Sequence, residues 1–208
     1  MELIEKLNRK YKPNTPIFIN EIYALMSDYS RPRIYQFISE AVKNNLLFRF
    51  ENGIYYIPTK TLLGYSKLNP QKVIEKKYIA SDNNVFGIYG GIQLMSAMGL
   101  TDQVPVVIEV LTNNESMRYR EVEIGYLKII LRKARMVIDA NNVDAFTVLE
   151  LFNSLNPSIM QKEIDYGKVV SYIQSKNLHV NDLISYSQYF PAKAVKNLVS
   201  SGVLNAII

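Results

Sequence analysis

Residues 32–44 constrain the fold more than any other stretch. Their apolar side chains Ile34, Phe37, Ile38, Ala41 and Val42 stand at i, i+3, i+4, i+7 and i+8, one stripe of an amphipathic helix that needs a core to lie on. Ser30 stands where an N-cap would, and Pro32 falls in the first turn, where a missing N–H costs little, so the helix should begin near Arg31. A shorter segment, 20–26, places Ile22, Leu25 and Met26 at helical spacing behind the candidate cap Asn20, and 27–29 reads as a turn. Beyond the long helix, 46–50 and 54–58 are β-rich runs around Glu51, Asn52 and Gly53, and Asn-Gly is a strong hairpin signal. Helix, turn, helix, hairpin is the order of a winged helix-turn-helix, expected over residues 1–64.

A helix that buries its stripe can offer its amino-terminal outer residues to the major groove of duplex DNA. Here those are Arg31, Arg33, Tyr35 and Gln36. Arginine can bridge guanine O6 and N7, glutamine can pair with adenine, and Ser30 or the helix amino terminus can hold a phosphate. Lys43 and the wing's Arg49 would meet the DNA backbone. In the plain alternative, Arg31 and Arg33 are solvated residues at a helix start, where the helix dipole slightly disfavours them; winged helices also serve as protein-binding modules. The net charge of +5 suits an anionic partner without requiring one. To position 64 there are nine Lys and Arg against six Asp and Glu, and 15 against 13 in the rest, so most of the excess is amino-terminal.

Residues 61–69 are irregular, and Pro70 opens a helix through Tyr78, so a second domain is expected over 70–208. It reads as a strand at 85–89, a helix at 90–98 and a nearly continuous apolar strand at 104–111, buried on both faces or nearly so. A hairpin of 118–124 and 127–131 about Gly125 extends the sheet to three or four strands. From Asn142 the pattern turns helical: Val143, Phe146, Leu149 and Phe152 lead into helices at 164–175, 180–187 and 191–200. The expected fold class is therefore α+β, a winged helix-turn-helix followed by a larger α/β domain with a small sheet and a carboxy-terminal helical cluster.

Signals for catalysis are sparse. The chain has no cysteine and a single histidine, which excludes disulfides and zinc fingers. That histidine, His179, reads as an ordinary surface or interhelix residue. Gly87, Gly90 and Gly91 could cradle a phosphate between strand and helix, but match neither G-x-G-x-x-G nor the P-loop, and a tight turn suffices. Asp102, Glu109, Glu121, Glu123 and Lys128, on or near the sheet, are the one enzymatic option, a metal-dependent phosphodiesterase site; surface strand charges explain them as well. No cofactor, metal or catalytic residue is assigned. The amino terminus lacks the apolar core of a signal peptide and no 18-residue apolar run occurs, so a cytoplasmic protein without a membrane partner is expected.

The segment Gly99-Leu100-Thr101-Asp102-Gln103-Val104-Pro105, with the strand 106–111 and Thr112-Asn113 after it, resembles AbiEi-type antitoxins of type IV toxin-antitoxin systems, and the wing residues Arg49, Gly53 and Tyr55 or Tyr56 extend the likeness. It covers roughly residues 15–155; Asn44-Asn45 stands where lysine-glycine is common in that family, although asparagine too can take the left-handed conformation that ends a helix. The resemblance implies a DNA-binding antitoxin that represses its own promoter and counters a nucleotidyltransferase-like toxin encoded nearby, with the DNA role on the helix from Arg31 and on Arg49. A palindromic operator would call for a dimer or two molecules side by side on DNA. Two other readings stand beside it: a transcription factor sensing a ligand at 87–91, and a metal-dependent nuclease.

Overall fold

The computed structural model describes residues 2–156 and 164–207, and the expected second domain includes 157–163, which lie outside the described residues. The fold is mixed α+β and divides into two compact units, Met1–Lys76 and Lys77–Ile208.

The first unit runs α1 (Glu2–Lys10), β1 (Ile17–Phe18), α2 (Ile19–Leu25), α3 (Arg31–Lys43), β2 (Phe48–Glu51) and β3 (Ile54–Tyr56), then a small hairpin β4 (Lys60–Thr61) and β5 (Gly64–Tyr65), and α4 (Pro70–Ile74). Its three-stranded sheet has the order β1-β3-β2, all antiparallel. This is the winged-helix arrangement, with two elements that the sequence reading did not contain. One is α1, whose Leu3 and Leu7 are buried; the other is β1, two residues long and defined by its pairing with β3. Because β1 runs directly into α2, the helix starts at Ile19 and its cap is not Asn20: the Glu21 carboxylate instead accepts the Phe18 N–H at 2.7 Å. The expected stripe forms the core, where Ile34, Ile38 and Ala41 of α3 meet Leu3, Leu7, Ile17, Ile22, Met26, Leu47, Tyr55 and Ile57, while Phe37 and Val42 are partly buried at its edge. Asn45, with φ +57, is the left-handed residue that ends α3, and Gly53, with φ +74, turns the wing.

The expected first domain stopped at residue 64, yet the unit extends to Lys76, for a reason visible in its hydrogen bonds. Ser66 Oγ donates to Asn14 Oδ1 at 2.6 Å, Tyr56 Oη to the Ser66 carbonyl at 3.2 Å, and Lys72 Nζ to the Asn14 carbonyl at 3.1 Å. Lys76 Nζ pairs with Glu21 at 2.8 Å and donates to the Pro16 carbonyl at 2.8 Å. The irregular segment and the helix that follows it are thus sewn onto the winged helix. Asn69 caps α4, and the helix expected from Pro70 to Tyr78 passes at Glu75 into a π turn, Glu75–Ile79.

The second unit holds a short hairpin, β6 (Ala80–Ser81) and β7 (Asn84–Val85), followed by β8 (Gly87–Tyr89), α5 (Gly91–Ala97), β9 (Val107–Thr112), β10 (Arg120–Ile124) and β11 (Leu127–Lys133). After them come α6 (Val143–Ser154), α7 (Tyr166–Ser175), α8 (Val180–Ser187), α9 (Ala192–Ser200) and a 3₁₀ turn, Val203–Ala206. The main sheet has the order β10-β11-β9-β8; β9 and β11 are parallel and the other pairs antiparallel. Among the described residues strand β10 pairs only with β11, which leaves its outer edge open, and it carries Arg120, Glu121 and Glu123 exposed along it.

Strand β9 departs from expectation. It begins at Val107 and not at 104: Val104 and Val106 are 87% and 90% exposed, and Pro105 between them supplies no N–H to a ladder. One face, Ile108, Val110 and Thr112, is buried throughout, whereas the other grades from exposed Val107 through half-buried Glu109 to buried Leu111. The helical cluster is built on α6, whose residues from Ala145 to Phe152 are all buried and which packs against α5, α7, α8, α9 and β8. The buried Asn197 of α9 donates to the Phe152 and Leu155 carbonyls at 2.9 and 3.2 Å, satisfying acceptors at the carboxyl end of α6.

Candidate nucleic-acid interface

All seven residues singled out in the sequence are exposed on the first unit: Ser30, Arg31, Arg33, Tyr35, Gln36 and Lys43 on or just before α3, and Arg49 on the wing strand β2. The side of α3 opposite Ile34, Ile38 and Ala41 carries a row of Pro32, Gln36, Ser39 and Lys43, spaced i, i+4, i+7 and i+11, with Arg33 and Tyr35 flanking it. At a rise of about 1.5 Å per residue, Gln36 and Lys43 lie about 10 Å apart along the helix. The sequence reading passed over Ser39, although the same periodicity that defines the buried stripe places it on the outward row.

The structure gives each of the three arginines a contact within its own unit. The Arg31 guanidinium lies 5.1 Å from the Tyr23 ring centroid and that of Arg33 4.6 Å from the Phe37 ring. Arg33 Nη1 donates to Gln36 Oε1 at 2.8 Å, and Tyr23 Oη donates to Tyr35 Oη at 2.8 Å. This last contact and burial hold the Tyr23 hydroxyl above its ordinary pKa. Among the described residues neither Arg31 nor Arg33 has a carboxylate at ion-pair distance, so both charges are turned outward and uncompensated. Tyr23, on α2, was not legible as part of this cluster, because only the crossing of α2 and α3 brings it to Tyr35. Ser30 sits at the N-cap position, yet its hydroxyl makes no capping bond and the first turn of α3 contains no acidic residue. The helix start therefore keeps its unpaired N–H groups for an anion.

On the wing, Arg49 Nη2 donates to Asn52 Oδ1 at 2.7 Å and Nε to the Glu51 carbonyl at 3.3 Å, which folds the side chain toward the hairpin turn. The adjoining β4–β5 hairpin exposes Lys60, with Lys67 exposed just after it, and at its tip Leu62 and Leu63 are fully exposed. Residues 1–76 carry 12 Lys and Arg against 7 Asp and Glu, while the rest carries 12 against 12, so the whole +5 excess resides in this unit.

The residues of the other readings lie in the second unit. Gly87, Gly90 and Gly91 form a close packing turn. A Cβ on Gly87 would stand 2.0 Å from the Tyr78 carbonyl oxygen, and one on Gly91, whose φ is +52, 3.1 Å from a Glu109 carboxylate oxygen. The Glu109 carboxylate thus lies against this turn. Glu109 itself pairs with Arg132 at 3.0 Å. Glu121, Glu123 and Lys128 line an open cavity of about 600 Å³ with Val107 and Ile130, and Asp102 is exposed in the segment before β9. Among the described residues no group of three or more His, Asp or Glu side chains is placed to hold a metal ion. His179 is exposed at the start of α8, its N–H bonded to Asp182 at 2.8 Å. No helix among the described residues is long and apolar enough to cross a membrane.

Residues 4–148 match the profile of a protein family described as a family of unknown function, DUF6088. No curated protein matches the chain. Among solved structures, that of the RV2827C protein from Mycobacterium tuberculosis is similar over 98% of this chain and 75% of that one, with a TM-score of 0.48 and 9% sequence identity.

Proposed function

The chain belongs to the DUF6088 family, and we propose that it is a DNA-binding regulator that represses its own promoter through the winged helix, acting in the cytoplasm as the antitoxin partner of a nucleotidyltransferase-like toxin. The observation that carries the DNA reading is the outer face of α3. Ser30, Arg31, Arg33, Gln36, Ser39 and Lys43 stand exposed on one helix, its two leading arginines lack carboxylate partners among the described residues, and its amino terminus is uncapped. Arg33 and Gln36 reach base edges; Arg31, Lys43 and Arg49 hold phosphates, which fixes register without reading sequence. The antitoxin role rests on the resemblance at 99–113 and assigns no catalytic step to the chain.

The test is a gel shift of the whole protein on the DNA upstream of its own gene, at two salt concentrations and with unrelated duplex as competitor. Retention that resists the competitor and weakens with salt supports the reading. Absence of retention at low salt would make the winged helix a protein-binding module and end the repressor proposal. Co-expression with the adjacent gene tests the antitoxin role separately, since full relief of growth arrest by Arg33→Ala protein weakened in promoter binding would separate neutralisation from repression.

A further inference from the structure

We propose that the crevice at the carboxyl ends of the parallel strands β9 and β11 binds the phosphate group of a small ligand, either free phosphate or a nucleotide. The crevice encloses about 300 Å³ and is lined by Leu111, Arg118, Tyr119, Arg132, Lys133 and Arg135. That is the low end of the range for small-molecule sites. The crevice is set by strand register: β9 and β11 run parallel, so Leu111 of β9 lies beside Arg132 of β11.

Four cations converge from two segments, and the structure fixes both. The loop before β10, which carries Arg118 and Tyr119, is organised around Glu115, only 4% exposed. Its carboxylate accepts the Ser116 and Met117 N–H groups at 2.9 and 3.0 Å and pairs with Arg120 at 2.8 Å. The Met117 carbonyl in turn accepts the Lys133 N–H at 3.1 Å, closing the loop onto β11. On the strand side, Arg132 is held by Glu109 at 3.0 Å and Arg135 by Glu150 at 3.7 Å. Each pair engages one edge of a guanidinium that has five N–H donors, leaving others for a ligand. Among the described residues Arg118 and Lys133 have no carboxylate at ion-pair distance, so two oriented and two uncompensated cations face one small volume. Burial also holds the Glu150 carboxyl above its ordinary pKa. Beside the cations, the buried Leu111 and the ring of Tyr119, whose hydroxyl is tied to Glu121, offer an apolar wall on which a sugar or base can rest. Ordering of this kind before binding is what lets a few contacts yield affinity.

The experiment is thermal denaturation of the full chain titrated with sodium phosphate, AMP and adenosine. A ligand that binds only the native state raises the melting temperature with concentration. Phosphate and AMP should both do so and adenosine should not; equal potency of the two assigns the site to free phosphate, and tighter AMP assigns it to a nucleotide. Arg118→Ala and Lys133→Ala, both at exposed positions, should each weaken the response at least about tenfold, the loss expected for a charge-assisted contact. Lys193→Ala, an exposed lysine of α9, should leave it unchanged. The proposal is overturned if neither phosphate nor AMP shifts melting up to about 10 mM, if adenosine acts as well as AMP, or if Lys193→Ala weakens the response as much as the crevice variants.

Discussion

Arg33→Ala tests the recognition helix at one side chain. In the free protein the guanidinium rests 4.6 Å from the Phe37 ring and bonds Gln36 at 2.8 Å, so reaching a guanine means leaving these contacts. An exposed cation–π contact is worth about 0.5–1 kcal/mol. A bidentate arginine–guanine pair contributes about 1–3 kcal/mol of discrimination. The difference spans about 0–2.5 kcal/mol, and its middle, a net loss of about 1–2 kcal/mol on the specific site, is about 5- to 30-fold in affinity. Because Arg33 is exposed, folding stability should move by less than about 0.5 kcal/mol. Fluorescence anisotropy with labelled duplex from upstream of the gene, and with an unrelated duplex in parallel, reads both affinities. The expected result is the 5- to 30-fold loss on the first and a much smaller one on the second. Equal losses on the two duplexes would mean that Arg33 holds a phosphate, and an unchanged isotherm on both would remove it from the interface; either outcome refutes the assignment.

Ile38→Ala, at a position 4% exposed in the α3 stripe, should cost about 2–5 kcal/mol in chemical denaturation of the first unit, whereas Gln36→Ala on the opposite side should leave stability within about 0.5 kcal/mol and weaken specific DNA binding. Glu115→Gln should cost about 1.5–3 kcal/mol at neutral pH by weakening the charged acceptor of two backbone N–H groups. Those bonds, the Met117 N–H foremost, hold the Glu115 carboxyl below its ordinary value of 4.5. Its contribution is therefore present above that value and lost as pH falls, so denaturation curves of the parent and the variant should converge in acid. Glu150 has the opposite sign: burial raises its pKa, so its charged form weakens the fold progressively as pH rises above 4.5. Glu150→Gln should then gain stability relative to the parent between mildly acidic and alkaline pH, and a gap that stays constant with pH would contradict the burial argument.

What was legible in the sequence was local. The α3 stripe and the Asn52-Gly53 turn announce themselves through a period of 3.6 and a dipeptide, and both stand within a few residues of where they were expected. Even α1 was readable, since Leu3, Ile4 and Leu7 share a face, but the dense charges of 2–10 masked it. By contrast β1 exists only because Ile17 and Phe18 find Tyr55 and Ile54, some forty residues away. The apolar run 104–106 misled because hydrophobicity alone does not say which residues a ladder reaches; Pro105 was the available warning. The pairing of Arg31 with Tyr23 and the gathering of Arg118 beside Arg135 depend on helix crossing and on the parallel β9–β11 register, neither of which has a signature in sequence spacing.

The open edge of β10 bears on how the protein survives at high concentration. Unpaired N–H and C=O groups along an edge strand template growth of the sheet from one molecule into the next. A second copy of β10 paired antiparallel about Val122 would set Glu121 against Glu123, two carboxylates opposed across a ladder, and this repulsion disfavours that pairing. Glu121→Val with Glu123→Val would remove the guard while raising β-propensity, turning REVEI into a continuous apolar edge flanked by one arginine. Such a variant should fold as the parent does yet pass into sedimenting, β-rich aggregates on standing.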